Sequence, residues 1–267
     1  MKKKILAGLI CSMLSAGVGF AAPQVEVPKG DLHLDLTYTD TSNELSVDYG
    51  GHSYDAESFL KDAANYIFDA DATGDFDGHI TQTGLTYGLK DGYALYVGYG
   101  VGRTHTLNLY DGVEGRIGVS GKFDILDLQV QKKLDKNFAA FLGVKEFKSA
   151  IKAGISEGIA IPISGSVSLE NDTKRMLELG VIGQAKLAPK ADAFAKIGFG
   201  GDLVEYKAGI NYKFSENAGF ELGYNYLRVK DLRNSVADLA RDAGLLEYDY
   251  DAKFTTKGIY YGLNYRF

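Results

Sequence analysis

The sequence predicts an all-β chain, one antiparallel sheet closed into a barrel of about ten to twelve strands with two long loops at one end. Three observations predict it. Apolar and polar residues alternate with a period of two along much of the chain, which is the side-chain period of a strand. Tight turns and long connections separate the alternating segments. Beyond residue 21 there is no run of 18 or more apolar residues, so any membrane crossing has to be made by strands.

The N-terminal segment reads as an export signal. Lys2, Lys3 and Lys4 form a positive start, Ile5 to Phe20 is apolar with small residues, and Gly19 and Ala21 flank a cleavage position after Ala21. An uncleaved anchor is the alternative, but the apolar stretch is shorter than the roughly 20 residues that span a bilayer. Lipid attachment at Cys11 needs a small residue before it and an aliphatic one three before. Ile10 and Gly8 stand the other way round. The expected organisation is therefore a cleaved signal peptide, 1–21, and one barrel domain, 22–267. Cleavage leaves 246 residues, removes the only cysteine and takes the net charge from −6 to −9. Without disulfides the mature chain is held by hydrogen bonds and packing, and a closed barrel pairs every strand edge.

The strands follow in order. Leu32, Leu34, Leu36 and Tyr38 alternate with polar residues. So do Leu85, Tyr87 and Leu89, then Tyr93, Leu95, Val97, Tyr99 and Val101, then Leu126, Leu128 and Val130. Phe138 to Phe147 and Ala150 to Ser156 alternate less regularly. Ile159, Ile161 and Ile163 open a segment that runs to Leu169. Leu177 to Leu187, Phe194 to Phe199, Tyr206 to Phe214 and Phe220 to Tyr226 follow. Counting Ala150 to Leu169 as one strand gives ten; breaking it near Glu157–Gly158 gives twelve. Tight turns fall at Lys90 to Gly92, Leu134 to Asn137, Ala188 to Asp192 and Ser215 to Ala218, and long connections at Asp40 to His79 and Asp231 to Lys253. Each long connection has a helical stretch. Asp55 caps one that carries Phe59, Leu60, Ala63 and Ile67; Ser235 caps another that carries Val236, Leu239, Ala240, Ala243 and Leu246. A fourteen-residue strand is roughly 45 Å long and, tilted, exceeds an apolar band of about 25 Å. With 18 Tyr, 14 Phe and no Trp, tyrosine has to supply the interfacial girdle.

The last strand is the most specific. Ile259, Tyr261, Leu263, Tyr265 and Phe267 form one face, and Gly258, Tyr260, Gly262, Asn264 and Arg266 the other. This strand resembles the closing strand of bacterial outer-membrane β-barrels, in which the terminal aromatic belongs to the signal read by the barrel-insertion machinery. The resemblance implies a porin-like chain in the outer membrane of a diderm bacterium. Its partners would be outer-membrane lipid and lipopolysaccharide, the barrel-assembly machinery, periplasmic chaperones and small polar solutes. It makes Ile259, Tyr261, Leu263, Tyr265 and Phe267 the assembly signal. A soluble β-sandwich also alternates, but it would have to bury these tyrosine hydroxyls with partners.

Function is expected on the inward face. Its candidates are Glu178, Gln184, Lys186, Glu205, Lys207, Asn211, Lys213, Glu221, Asn225, Asn264 and Arg266. Mixed charges and amides suit a wet lumen that passes ions and small polar solutes. The same groups can instead pair with one another and close a narrow barrel with a structural or surface-binding role. Asp69 to Gly78 carries acids at Asp69, Asp71, Asp75 and Asp77, but Ile80 stands where a calcium loop needs its last acid, so no metal is assigned. No cofactor is expected. His79 with Asp77, or His52 with Asp55, could sit near a rim, yet no hydrolase motif surrounds either pair, and no enzymatic activity is assigned. No phosphate loop or basic aromatic patch supports nucleic-acid binding.

Overall fold

The computed structural model describes residues 25–69, 71–112, 115–156, 164–170, 173–232 and 250–267. The elements are β1 (Leu32–Tyr49), β2 (His52–Asp55), α1 (Ala56–Phe68), β3 (Gly78–Gly88), β4 (Tyr93–Thr104), β5 (Leu107–Gly112), β6 (Gly115–Lys133) and β7 (Phe138–Ser156). They continue as β8 (Gly165–Glu170), β9 (Lys174–Ala188), β10 (Ala191–Phe199), β11 (Leu203–Lys213), β12 (Ala218–Leu232) and β13 (Tyr250–Arg266). Ten of these strands form a closed antiparallel ring: β1, β3, β4, β6, β7 and β9 to β13. The ring shuts where β1 pairs with β13, from His33↔Arg266 to Tyr49↔Tyr250. The remaining strands lengthen the wall at one end: β2 on β1, β5 on β6 and β8 on β7.

Tight turns gather at the end that holds Leu32 and Arg266, here the terminal end, and their chemistry suits two- to four-residue reversals. Asp91 and Gly92 take positive φ of 59° and 74° between β3 and β4. Between β6 and β7 the Asp135 carboxylate accepts from Asn137 N and Phe138 N at 2.7 and 2.8 Å. Ser215 Oγ accepts from Ala218 N at 2.9 Å before β12. Between consecutive strands of the ring the opposite, loop end carries the longer connections, except that only Gly200–Asp202 separates β10 from β11.

The strand count resolves to ten because Phe138–Ser156 is one continuous strand and Gly165–Glu170 is a wall extension rather than a barrel strand. The break expected near Glu157–Gly158, Ile159 to Ile163, the signal peptide and the Ser235-capped helix lie outside the described residues. The Asp40 to His79 connection is shorter than expected, since β1 runs on to Tyr49. Helix α1 is present, and Asp55 accepts from Ser58 N at 2.8 Å as its cap. Its packed face differs from the expected one: Ala64 is buried and Leu60 packs near Phe76, Leu107 and Val119, while Phe59 and Ile67 are exposed.

Outward residues on the ring form an apolar belt. Leu95, Val97, Leu128, Val144, Leu179, Val181, Ile197, Ile210, Leu222 and Leu263 are all exposed on the sheet's outer surface. Tyrosine rings meet on the same surface, Tyr206 stacked 4.5 Å from Tyr226 and Tyr38 tilted 5.4 Å from Tyr261. The interior is filled in layers. At the terminal end Val25 and Val27, in the segment that precedes β1, are buried; Val25 packs with Ala139, Phe141 and Ile182. Charged and amide side chains fill the middle. Towards the loop end lies a dry layer that includes Ile80, Phe123, Ile125, Phe147, Met176, Leu203, Val229 and Phe254. The rings of Phe123, Phe147 and Phe254 meet at 4.7 to 5.9 Å. Inward glycines make room for this filling. A Cβ at Gly102 would stand 2.0 Å from the Phe123 ring, and one at Gly198 1.9 Å from Glu178 Oε1.

Candidate functional site

Strand parity brings six inward charges together in the middle layer. Asp127 comes from β6, Lys145 from β7, Glu178 from β9, Lys196 from β10, and Glu205 and Lys207 from β11. Lys145 Nζ lies 2.9 Å from Asp127 Oδ2 and 3.7 Å from Glu178 Oε2, and it contacts Glu205 Oε2 directly. Lys196 Nζ is 3.0 Å from Glu205 Oε1 and 3.6 Å from Asp127 Oδ2. Gln129 Nε2 donates to both Asp127 oxygens at 2.9 Å and to Glu178 Oε2 at 3.3 Å. Each of these side chains is buried, so the ion pairs act in a medium of low dielectric and hold one another in place. The three carboxylates offer oxygens within 4.8 Å of one another, a spacing fit for a metal ion. The Lys145 ammonium stands among them and supplies the positive charge that such an ion would bring.

A second group adjoins the first. Lys207 Nζ is 3.9 Å from Glu221 Oε2 and lies 4.1 Å from the Tyr260 ring centroid, a cation–π contact. Asn264 Nδ2 donates to Asn211 Oδ1 and Glu221 Oε1, both at 3.0 Å.

The expected inward residues divide in three. Glu178, Glu205, Lys207, Asn211 and Glu221 are inward and buried. Gln184, Asn225 and Asn264 are half-buried; Gln184 Oε1 accepts from Val25 N at 3.5 Å. Lys186, Lys213 and Arg266 are exposed at the terminal end rather than set along the interior. Lys213 Nζ sits 2.6 Å from Asp192 and Arg266 Nη2 2.6 Å from Asp31, because each stands at or next to its strand's end, where the sheet meets solvent. Asp127, Lys145 and Lys196 complete the network and were missed as site residues. Their signal was inward parity on β6, β7 and β10. The face Ile259, Tyr261, Leu263, Tyr265 and Phe267 is exposed and outward as expected, and Phe267 N donates to Leu32 O at 2.9 Å.

The loop end is polar. Lys174 bridges Asp202 at 2.8 Å and Asp231 at 2.7 Å, and so ties β9 to the short β10–β11 turn and to β12. A hydrogen bond and ion pair to Lys253 hold the Asp48 carboxyl below its usual range. The Asp69 to Gly78 acids do not converge on one point: Asp75 faces His105 Nδ1 at 3.3 Å, and Asp77 Oδ1 accepts from Asn43 N at 3.3 Å. His79 stacks on Tyr38 at 5.5 Å, and His52 lies 6.3 Å from Tyr54.

No protein-family model matches the sequence, and no curated protein matches it. Solved structures do. The outer-membrane protease OmpT from Escherichia coli superposes with a TM-score of 0.57 at 12% identity, over 91% of this chain and all of that one. The Ail protein of Yersinia pestis aligns over 90% of this chain and 99% of its own, at 13% identity and a TM-score of 0.39. At these identities the likeness concerns the path of the chain alone. Ten antiparallel strands, an apolar outer belt and closure of the first strand on the last give this chain the fold of the bacterial outer-membrane β-barrels.

Proposed function

We propose that this chain is an outer-membrane barrel with a shut lumen, which works at the cell surface through its loop end. The terminal end is then periplasmic, and β2, β5, β8 and α1 rise above the outer leaflet. The observation that carries the reading is the filled interior. The middle charges are spent on one another, and the Phe123–Phe147–Phe254 layer lies across the barrel above them. Passive passage of ions and small polar solutes, the porin-like expectation, needs a continuous file of water, and burial of Glu178, Glu205, Lys207 and Glu221 argues against one. The reading contains no catalytic step. The test is conductance of purified protein in a planar bilayer. The expected record is silent; stepwise openings would restore the porin-like reading.

Assembly belongs to the same proposal. The outward aromatic face of β13 serves as the signal that the insertion machinery reads. Deleting Phe267 is expected to remove most outer-membrane insertion, whereas Arg266→Ala leaves it near the wild-type level. Membrane fractionation with heat-modifiable gel migration measures both, and equal insertion of the two variants contradicts the assignment.

A further inference from the structure

A cleft of about 430 Å³ lies in the loop-end part of the wall, on β4, β6, β7 and β8. Six charged side chains line it: Arg103 on β4, Lys122 and Asp124 on β6, Lys148 and Lys152 on β7, and Glu170 on β8. Parity sets them on the outer side of the sheet. Arg103 shares that side with exposed Tyr99, Lys122 and Asp124 with exposed Leu128, and the two β7 lysines with exposed Val144. Glu170 is the register partner of Ala150, which stands between those lysines on the same side. Register also gathers the charges into one patch: Arg103 opposes Lys122, Lys148 opposes Asp124, and Lys152 opposes Ser120.

Four cations against two acids give the patch a positive excess, in a chain whose net charge is −6. Both acids are engaged. Asp124 holds Lys122 at 3.2 Å and accepts from the Tyr99 hydroxyl at 3.3 Å, and Glu170 holds Lys148 at 2.8 Å. Arg103 and Lys152 are exposed and form no ion pair among the described residues. Gathering like charges on one patch is unfavourable, and an anion seated among them offsets that cost. The guanidinium fork and the ammonium offer only donors, which suits the acceptor oxygens of a phosphate.

The surface next to the cleft decides what carries the phosphate. Towards the terminal end the same strands turn apolar on the same side, with Val97 and Tyr99 on β4, Leu128 on β6 and Val144 on β7 all exposed. A soluble anion would use the cations alone. A lipid uses both surfaces, its headgroup on the cations and its chains on the belt. We infer that this cleft seats the phosphate headgroup of a membrane lipid, its oxygens on Arg103 and Lys152 and its acyl chains against the outward residues of β4, β6 and β7. The inference deepens the surface-binding reading and rests on its placement of the loop end at the membrane surface. Lipid retention and bilayer conductance are separate measurements, so the two can fail independently.

The test uses the full barrel in neutral maltoside micelles, with retained lipid counted by native mass spectrometry. The probes are dioleoyl phosphatidic acid and dioleoyl phosphatidylcholine, which share their chains but differ in headgroup charge. The phosphatidic acid should be retained about tenfold more, the scale of one hydrogen bond between charged groups. Arg103→Gln combined with Lys152→Gln should bring the two lipids to equal retention. Lys136→Gln combined with Lys190→Gln removes the same charge at the terminal end and should leave the preference as it was. Glycerol 1-phosphate, a phosphate ester without chains, should not displace the lipid at equal concentration. If the first double variant fails to fold, Lys152→Gln alone should still lower the preference. Equal retention of both lipids by the unaltered barrel removes the site. An equal loss in the terminal-end variant reduces the effect to net charge. Displacement by glycerol 1-phosphate at equal concentration makes the occupant a free phosphate ester and overturns the lipid assignment.

Discussion

Replacing Lys145 with methionine is expected to destabilise the barrel by about 3–5 kcal/mol, the cost of removing one partner from a buried ion pair. Methionine keeps much of the side-chain volume, so the loss measures charge rather than a cavity. Without the ammonium, Asp127, Glu178 and Glu205 face one another across 4.8 Å or less in a buried setting. Lys196 can compensate in part, since it already touches Glu205 and approaches Asp127. Adding Glu205→Gln to Lys145→Met should therefore recover part of the loss, because it removes one of the charges left unmatched. An exposed pair gives the contrast: Arg175→Ala breaks the 2.8 Å contact with Glu146, and little or no change in the urea midpoint is expected. Urea midpoints followed by heat-modifiable gel migration report all three variants. A Lys145→Met barrel as stable as the parent would mean that the interior charges are hydrated rather than paired.

The second large effect lies on the other surface of the sheet. Ile210→Lys places an ammonium on the outward face of β11, where Ile210 is 49% exposed within the apolar belt. In a bilayer this is expected to cost about 2–4 kcal/mol, falling to about 0–1 kcal/mol near the interface. Tyr212→Lys, two residues nearer the strand end, should cost less. Folding yield into lipid vesicles, beside a mild-detergent control, measures the difference. A harmless Ile210→Lys would reverse inside and outside for the whole barrel, since parity on β11 fixes the faces of β10 and β12 through their pairing.

The outward belt was legible in the sequence because it places an apolar side chain at every second residue of its strands. Leu32 to Tyr38, Tyr93 to Val101 and Ile259 to Phe267 carry that demand openly. The long upper part of β1 was not legible. From Asp40 to Ser46 almost every residue is polar, so the alternation between the two faces loses its contrast. The dry layer was hidden for the opposite reason. Phe147 points inward on a strand whose outward Leu142 and Val144 are also apolar, so two apolar faces blurred the period and Phe138 to Phe147 read as irregular. The candidate site was half visible. Parity gave the inward direction of Glu178, Glu205 and Lys207. Which acid meets which lysine depends on the stagger of β6, β7, β9, β10 and β11, which a single strand does not encode.

The pairing of β1 with β13 has a consequence for the order of events in folding. Residues 33 and 266 are register partners, so the contacts that seal the ring join opposite ends of the chain. No partial product can make them: an edge of β1 stays open until the last strand has been delivered. Such maximal sequence separation predicts slow closure, with most of the entropic cost met before the final row of hydrogen bonds forms. Until then β1 presents a free edge able to recruit foreign strands. A chain of this kind is most exposed to wrong pairing in the interval between formation of its first strand and arrival of its last.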